Sequence, residues 1–150
     1  MNVQVSTWGW DFIAIKSRFT SSLISLVRHD LEQICVCISP SAVFNYKLYI
    51  SLSYIPPSSP MDVYTKHLQN IQSPLNYTQN DDNTHFITLG DFNLPNIDHR
   101  FDIEDKVLTP FNISSIIERT FIDSLLDNNV TQINNVCNCH GKFLDLVLLY

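Results

Sequence analysis

The sequence predicts an α+β fold in which helices cover the outside of packed, mostly antiparallel sheets. Three observations carry that expectation. Short apolar runs rich in Ile, Val and Leu recur along the 150 residues, as strands do. Only two segments repeat their apolar residues at helical spacing, and both are set between those runs. Glycine is scarce, with 3 in the chain, so tight hairpins that need glycine in the turn are few.

Taken in order, "FIAIK" (12–16), "SLISLVRH" (22–29) and "EQICVCI" (32–38) read as strands. The third alternates Ile34, Val36 and Ile38 against Gln33, Cys35 and Cys37. "KLYISLSYI" (47–55) is a fourth strand, stopped by Pro56 and Pro57, which have no N–H for a ladder. A helix follows, with Ser59 as its cap, Pro60 at its first position, and Tyr64, Leu68, Ile71 and Leu75 on one face. The polar stretch 76–85 reads as a loop and "FITLGD" (86–91) as the fifth strand. A second helix is expected from about Thr109-Pro110. It would carry Ile113, Ile116, Ile117, Phe121 and Leu125 on one face and close at 127–129. "VTQIN" (130–134), a Cys/Gly turn and the apolar run "FLDLVLLY" (143–150) complete the chain.

The length fits one domain spanning residues 1–150. With 45% hydrophobic and 16% charged residues, the chain can bury a core, and wholesale disorder is excluded. The net charge of −6 argues against non-specific binding to a polyanion, and Lys16, Arg18 and Arg28 are too scattered to make a basic patch. No apolar run approaches the length that crosses a bilayer, and "MNVQVSTWGWDF" lacks the basic start and apolar middle of a signal peptide. The expectation is a soluble, intracellular protein without a membrane partner. In that setting the sequons at Asn76, Asn112 and Asn129 read as chance and the cysteines as thiols. "CVC" (Cys35, Cys37) and "CNCH" (Cys137, Cys139, His140) supply zinc-ligand types. Their spacing is wrong for the usual loops, and buried or half-buried thiols are the favoured reading.

"FITLGDFNLPNIDH" (86–99) holds the most chemistry. An apolar strand stops at Gly90, where the absent side chain lets another group approach, and Asp91 and Asn93 follow two residues apart. In extended backbone they share a side. A carboxylate that accepts a proton or faces a cation, beside an amide that holds water or substrate, makes a hydrolytic half-site. On spacing alone a plain β-turn competes with this reading, because Gly, Asp and Asn all form turns. Trp8 and Trp10 read as a half-buried strand edge ahead of a base-stacking pair. His99 and Arg100 read as a loop, solvated or touching a phosphate, and Asp81-Asp82 as a solvated loop.

The ordered set "SYIPPSSP", "YTKHLQNI", "ITLGDFNLPNID", "LLDNNVTQINN" and "FLDLVL" resembles the endonuclease/exonuclease/phosphatase superfamily, from about Trp8 to the end. More narrowly it resembles the endonuclease domain of non-LTR (LINE-type) retrotransposons. The resemblance implies a four-layer α/β sandwich, partial here, of two packed sheets with helices on both outer faces. It also implies Mg²⁺-dependent hydrolysis of DNA phosphodiesters by a domain joined to a reverse transcriptase. By resemblance, Asp91 orients or activates the attacking water, and Asn93 positions the nucleophile and a phosphate oxygen, with both near the metal. Tyr54 contacts the scissile phosphate, and Asp145 orients a catalytic histidine.

The departures from that pattern qualify the activity. The "SDH" signature that supplies the histidine has no counterpart, and none of His29, His67, His85, His99 and His140 stands in its context. The metal-binding glutamate belongs to a strand upstream of those present. Glu32 is not that residue and is expected to pair edgewise with its neighbours. The family's tryptophan after "NID" is replaced by His99. Loss of a general acid or base costs about 10²–10⁴-fold in rate. The chain thus reads as an endonuclease-like hydrolase truncated at both ends. It is expected to be weakly active or inactive alone, with a non-catalytic, partner-binding remnant as the other reading.

Overall fold

A computed structural model describes residues 3–6, 12–104, 107–143 and 145–150, with 3–6 and 12 described by backbone alone. Trp8 and Trp10 lie outside the described residues. The elements run β1 (Val3–Ser6), β2 (Phe12–Ile15), β3 (Ser21–Leu23), β4 (Gln33–Ile38), β5 (Lys47–Tyr54), α1 (Met61–Thr78), β6 (Thr84–Asp91), β7 (Asp98–Phe101), β8 (Leu108–Phe111), α2 (Ile116–Asp127), β9 (Thr131–Gln132) and β10 (Asp145–Leu149). Among the described residues, β3-β4-β5-β6-β10-β9-β8-β7 form one eight-stranded sheet and β1-β2 a separate two-stranded one. The α+β class holds, and among the described residues only β5 and β6 pair in parallel.

A parallel pair cannot be joined by a hairpin. The connection between β5 and β6 is α1, which lies on one face of the sheet. That face carries Cys35 and Cys37 from β4, Tyr49 from β5, Phe86 from β6, and Leu146 and Leu148 from β10. Tyr64, Ile71 and Leu75 of α1 pack there with Phe121, Ile122 and Leu125 of α2. Both helices therefore cover the same face, whereas the family pattern implies helices on both outer sides. The opposite face is covered near β4 by the small sheet, where Ile13 and Ile15 meet Val36, Ile38, Leu48 and Ile50. Coverage on both faces explains why all of β4 is buried despite its alternating sequence.

A polar seam runs under α1. Asn70 is fully buried; its Nδ2 donates to Gln33 Oε1 (2.9 Å) and to the Arg28 carbonyl (3.0 Å), and its Oδ1 accepts the Arg28 N–H (2.8 Å). Gln33 Nε2 donates in turn to Ser51 Oγ (3.2 Å). This network replaces a strand over 24–30. The expected strand 22–29 shrinks to Ser21–Leu23; the Ile24 N–H still donates to the Cys35 carbonyl of β4 (2.9 Å), and the Arg28 backbone is tied to Asn70 of α1 instead.

The helices also shift from their expected limits. Ser59 turns its hydroxyl back to the Pro56 carbonyl (2.7 Å), so Pro60 takes the cap position and α1 begins at Met61. The helix continues through a buried Pro74 to Thr78, shortening the expected loop, because Pro74, Leu75 and Thr78 are all buried against the core. The second helix starts at Ile116, and Thr109-Pro110 belongs to β8, paired with β7. Pro110 is tolerated there because β8 meets β9 only through Leu108 opposite Gln132. Ile116 is 70% exposed and leaves the predicted apolar stripe, while Glu118 and Ile122 join Phe121 and Leu125 inside.

Cys35 and Cys37 share the helix-covered face, and burial pushes the Cys35 thiol up to about 12. Cys137 and Cys139 are exposed, contrary to the expectation of burial, because 137–139 is irregular and lies outside any strand. Among the described residues no helix is long and apolar enough to cross a membrane.

His67 of α1 is 1% exposed, and its Nδ1 has no hydrogen-bond partner among the described residues. Burial pulls its pKa from 6.5 down to about 4, against a weak opposing pull from Asp30. A folded-state pKa below the unfolded one means the native state resists protonation. The stability held above pH 6.5 is therefore lost as pH falls toward 4, by an amount on the order of 3 kcal/mol. Urea unfolding of wild type and His67→Gln at several pH values between 7 and 4 is expected to show a steeper acid loss for the wild type (about that range by linkage). Parallel curves would exclude His67 as the source.

Candidate active site at the carboxyl end of the central strands

The parallel ladder pairs Tyr54 of β5 with Asp91 of β6, and the antiparallel ladder pairs Asp91 with Asp145 of β10. Directly opposed residues project from the same face of a sheet. Tyr54, Asp91 and Asp145 thus stand in one row across adjacent strands, with the outer two about 10 Å apart at the usual strand spacing. Tyr54 and Asp91 are half-buried and Asp145 is exposed. Glu32, just before β4, gives its carbonyl to the Tyr54 N–H (2.9 Å). It sits beside Tyr54, as its expected edgewise pairing requires.

Gly90 makes the row possible. A Cβ at this position would overlap the Ser53 carbonyl oxygen on β5, so the two strands approach as they do only because no side chain intervenes. The Ile55 N–H then donates to the Asp91 carbonyl (2.9 Å), extending the junction one residue past the ladder.

After Asp91 the chain turns sharply. Asn93 has φ 47°, a left-handed conformation that Asn tolerates better than most residues. Its N–H donates to Asp91 Oδ1 (3.1 Å), and its Nδ2 donates to the Ile55 carbonyl (2.9 Å). The phenol of Tyr64 on α1 donates toward the carbonyls of Phe92 (3.1 Å) and Asn93 (3.3 Å) from below. The turn and half-site readings of this motif are therefore compatible: the turn is real, and it fixes Asn93 beside Asp91.

The electrostatics follow from the crowding. Burial raises the Asp91 pKa above the usual carboxylate value, hydrogen bonds from Asn93 oppose the rise, and the charge of Asp145 adds to it. Asp145 is held through its backbone. Asn134 Nδ2 donates to the Asp145 carbonyl (2.7 Å), and Asn134 Oδ1 accepts the Val147 N–H (2.8 Å). One side-chain amide, able to donate and accept, stands in for the strand partner that β9 no longer supplies there. The sequence reading missed Asn134, although an Asn pair after a β-like run was a visible signal.

Adjacent carboxylates that repel each other fit a divalent cation, and Mg²⁺ is commonly held by one or two carboxylates plus substrate phosphates. Asp91 and Asp145 meet that description, and Asn93 adds a neutral amide oxygen next to Asp91. The remaining candidates lie elsewhere. His99 and Arg100 belong to β7, not to a loop. The His99 ring lies edge-on to Phe143 (5.1 Å), with burial lowering its pKa, and Arg100 sits over the Phe111 ring (5.4 Å). Asp81 shapes the turn into β6 by accepting from the Asn83 N–H (3.0 Å) and the Thr84 hydroxyl (2.7 Å).

No family model and no curated protein matches the chain. Among solved structures, the human Nocturnin catalytic domain with bound sulfate anion is similar at a TM-score of 0.49 and 16% identity. The likeness covers 92% of this chain and 50% of that one, so the chain spans about half the length of that domain.

Because the row rests on the close approach at Gly90, Gly90→Ala is expected to destabilise the chain by about 1–3 kcal/mol through overpacking. Denaturant titration measures this directly. An unchanged midpoint would show that β5 can yield without cost.

Proposed function

We propose that this chain is the catalytic part of a Mg²⁺-dependent phosphodiesterase of the endonuclease/exonuclease/phosphatase type. More narrowly, it is the DNA endonuclease of a non-LTR retrotransposon, working in a longer polyprotein with a reverse transcriptase. The observation that carries this reading is the row Tyr54–Asp91–Asp145 with Asn93 fixed beside it. The motif order in the sequence supports the narrower assignment.

Hydrolysis of a phosphodiester needs a water delivered in line, a proton acceptor and stabilisation of charge on the phosphate oxygens. Asp91, with its pKa raised, is a better proton acceptor than a free carboxylate and orients the water. Asn93, held by the Ile55 carbonyl, keeps its amide in place to position the water and a phosphate oxygen. Tyr54, level with Asp91, offers its hydroxyl to the phosphate. Asp145 supplies the second carboxylate of the row. Asp91 and Asn93, with Asp145 alongside in the row, would hold Mg²⁺, which would supply charge neutralisation to the phosphate.

A second reading, a non-catalytic partner-binding domain, is favoured by the acidic net charge of −6, which disfavours DNA. Nicking of supercoiled plasmid by the purified chain in Mg²⁺ separates the two. The catalytic reading expects slow nicking that falls at least about 10²-fold in Asp91→Ala and disappears with EDTA. Wild type and Asp91→Ala acting at one rate, or no nicking by a folded longer polyprotein that contains the chain, would leave the partner-binding reading.

A further inference from the structure

The turn that fixes Asn93 also walls a second cleft, of about 210 Å³, between the loop after β5, the loop after β6 and the start of α2. Pro57, Pro95 and Ile117 give it apolar walls, and Ser59, Ser115 and Glu118 give it polar ones. Glu118 is the unusual member. It is 3% exposed, yet only one of its oxygens is engaged. Oε1 accepts from the Asn96 N–H (3.0 Å) and Asn96 Nδ2 (3.2 Å), while Oε2 has no hydrogen-bond partner among the described residues.

Local helix chemistry does not account for this. Ser115 caps α2 by accepting the Glu118 N–H (3.5 Å), which makes Ser115-x-x-Glu118 a capping-box sequence. In that motif the glutamate turns back to the cap residue. Here Glu118 is directed to Asn96 on the loop after β6. Its neighbour Arg119 is committed to the Ile113 carbonyl (2.7 Å) and exposed. A buried carboxylate oxygen left unpaired carries a desolvation cost that a bound N–H donor would remove.

We propose that this cleft binds a nucleobase bearing an amino group, with Glu118 Oε2 accepting the amino N–H and Pro57, Pro95 and Ile117 contacting the ring. Three observations select this ligand class: a buried carboxylate oxygen without a partner among the described residues, apolar walls that include two prolines, and a lining that includes Asn93. Asn93, fixed beside Asp91 by the turn, is itself part of this cleft's lining. Adenine, cytosine and guanine carry the required N–H donors, and thymine and uracil have no amino group. The proposal rests on the nucleic-acid reading of the row for the source of the base. Binding of the base alone, without a phosphate, does not.

The test therefore uses nucleosides. Calorimetric titration of the purified chain is expected to show cytidine and adenosine binding about 10- to 100-fold tighter than uridine, the range of one hydrogen bond to a charged group. Glu118→Gln keeps an oxygen for Asn96 and is expected to abolish that preference, with thermal melting as the check on folding. Ser59→Phe fills the cleft without touching Glu118 and is expected to abolish binding of every nucleoside, so the question stays decidable if the first variant does not fold. Equal binding of cytidine and uridine, no nucleoside binding by the folded wild type, or a preference that survives Glu118→Gln would each overturn the proposal. Failure of plasmid nicking alone would count against the catalytic reading and leave this result standing.

Discussion

The parallel ladder from Lys47–Thr84 to Tyr54–Asp91 sets the position of every other element. Its direction requires a crossover, and α1 is that crossover, so the helix layer must lie on one face. Its register puts Tyr54 level with Asp91. Its close spacing at the end depends on Gly90 meeting the Ser53 carbonyl. β10 then adds antiparallel to β6 and brings Asp145 to the same level. A slip of one residue in either ladder would send one of these side chains to the helix side. The chemistry is thus a consequence of register more than of any local motif.

Holding that register on a sheet with a polar seam beneath it has a cost that the network of Arg28, Gln33, Ser51 and Asn70 offsets. Gln33, Ser51 and Asn70 are buried, and the geometry joins them with the Arg28 backbone through Asn70 and Gln33 into a connected set of bonds. His67, one turn earlier on α1, has no partner on Nδ1 among the described residues, and its burial lowers its pKa. Buried polar groups specify a packing when they are satisfied and make it condition-dependent when they are not.

Legibility in the sequence followed the source of each element's stability. β4, β5, β6 and β10 were visible because apolar runs bury them, and the Pro56-Pro57 stop was visible because it is local chemistry. β7 was not, because "DHRF" has no apolar pattern. Its partners are distant: Asp98 pairs with Lys142 (3.5 Å) and accepts from Asn112 (2.9 Å), and His99 meets Phe143. The second helix was placed too early because Pro110 suits a helix start as well as a strand with one free side. The residue types of the row were legible in the motifs, while their alignment was not, since it depends on ladders between segments far apart in sequence. Glu118 was hidden inside an apolar stripe. Its signal was the Ser-x-x-Glu spacing, which marks a cap but does not say that the carboxylate is turned elsewhere.

The turn after Asp91 joins the two candidate sites mechanically. Its tethers come from three directions: Asn93 to the Ile55 carbonyl, Tyr64 to the Phe92 and Asn93 carbonyls, and Asn96 to Glu118. The residue after β5, α1 and α2 each supply an anchor. Such a loop cannot move at Asn96 without straining the bonds that hold Asn93. Asn93 at the carboxylate row and Asn96 at the Glu118 cleft thus stand on one loop tethered to three elements of the fold. A preorganised amide is worth most when it does not reorganise during the reaction, and here three elements of the fold share the task of keeping it still.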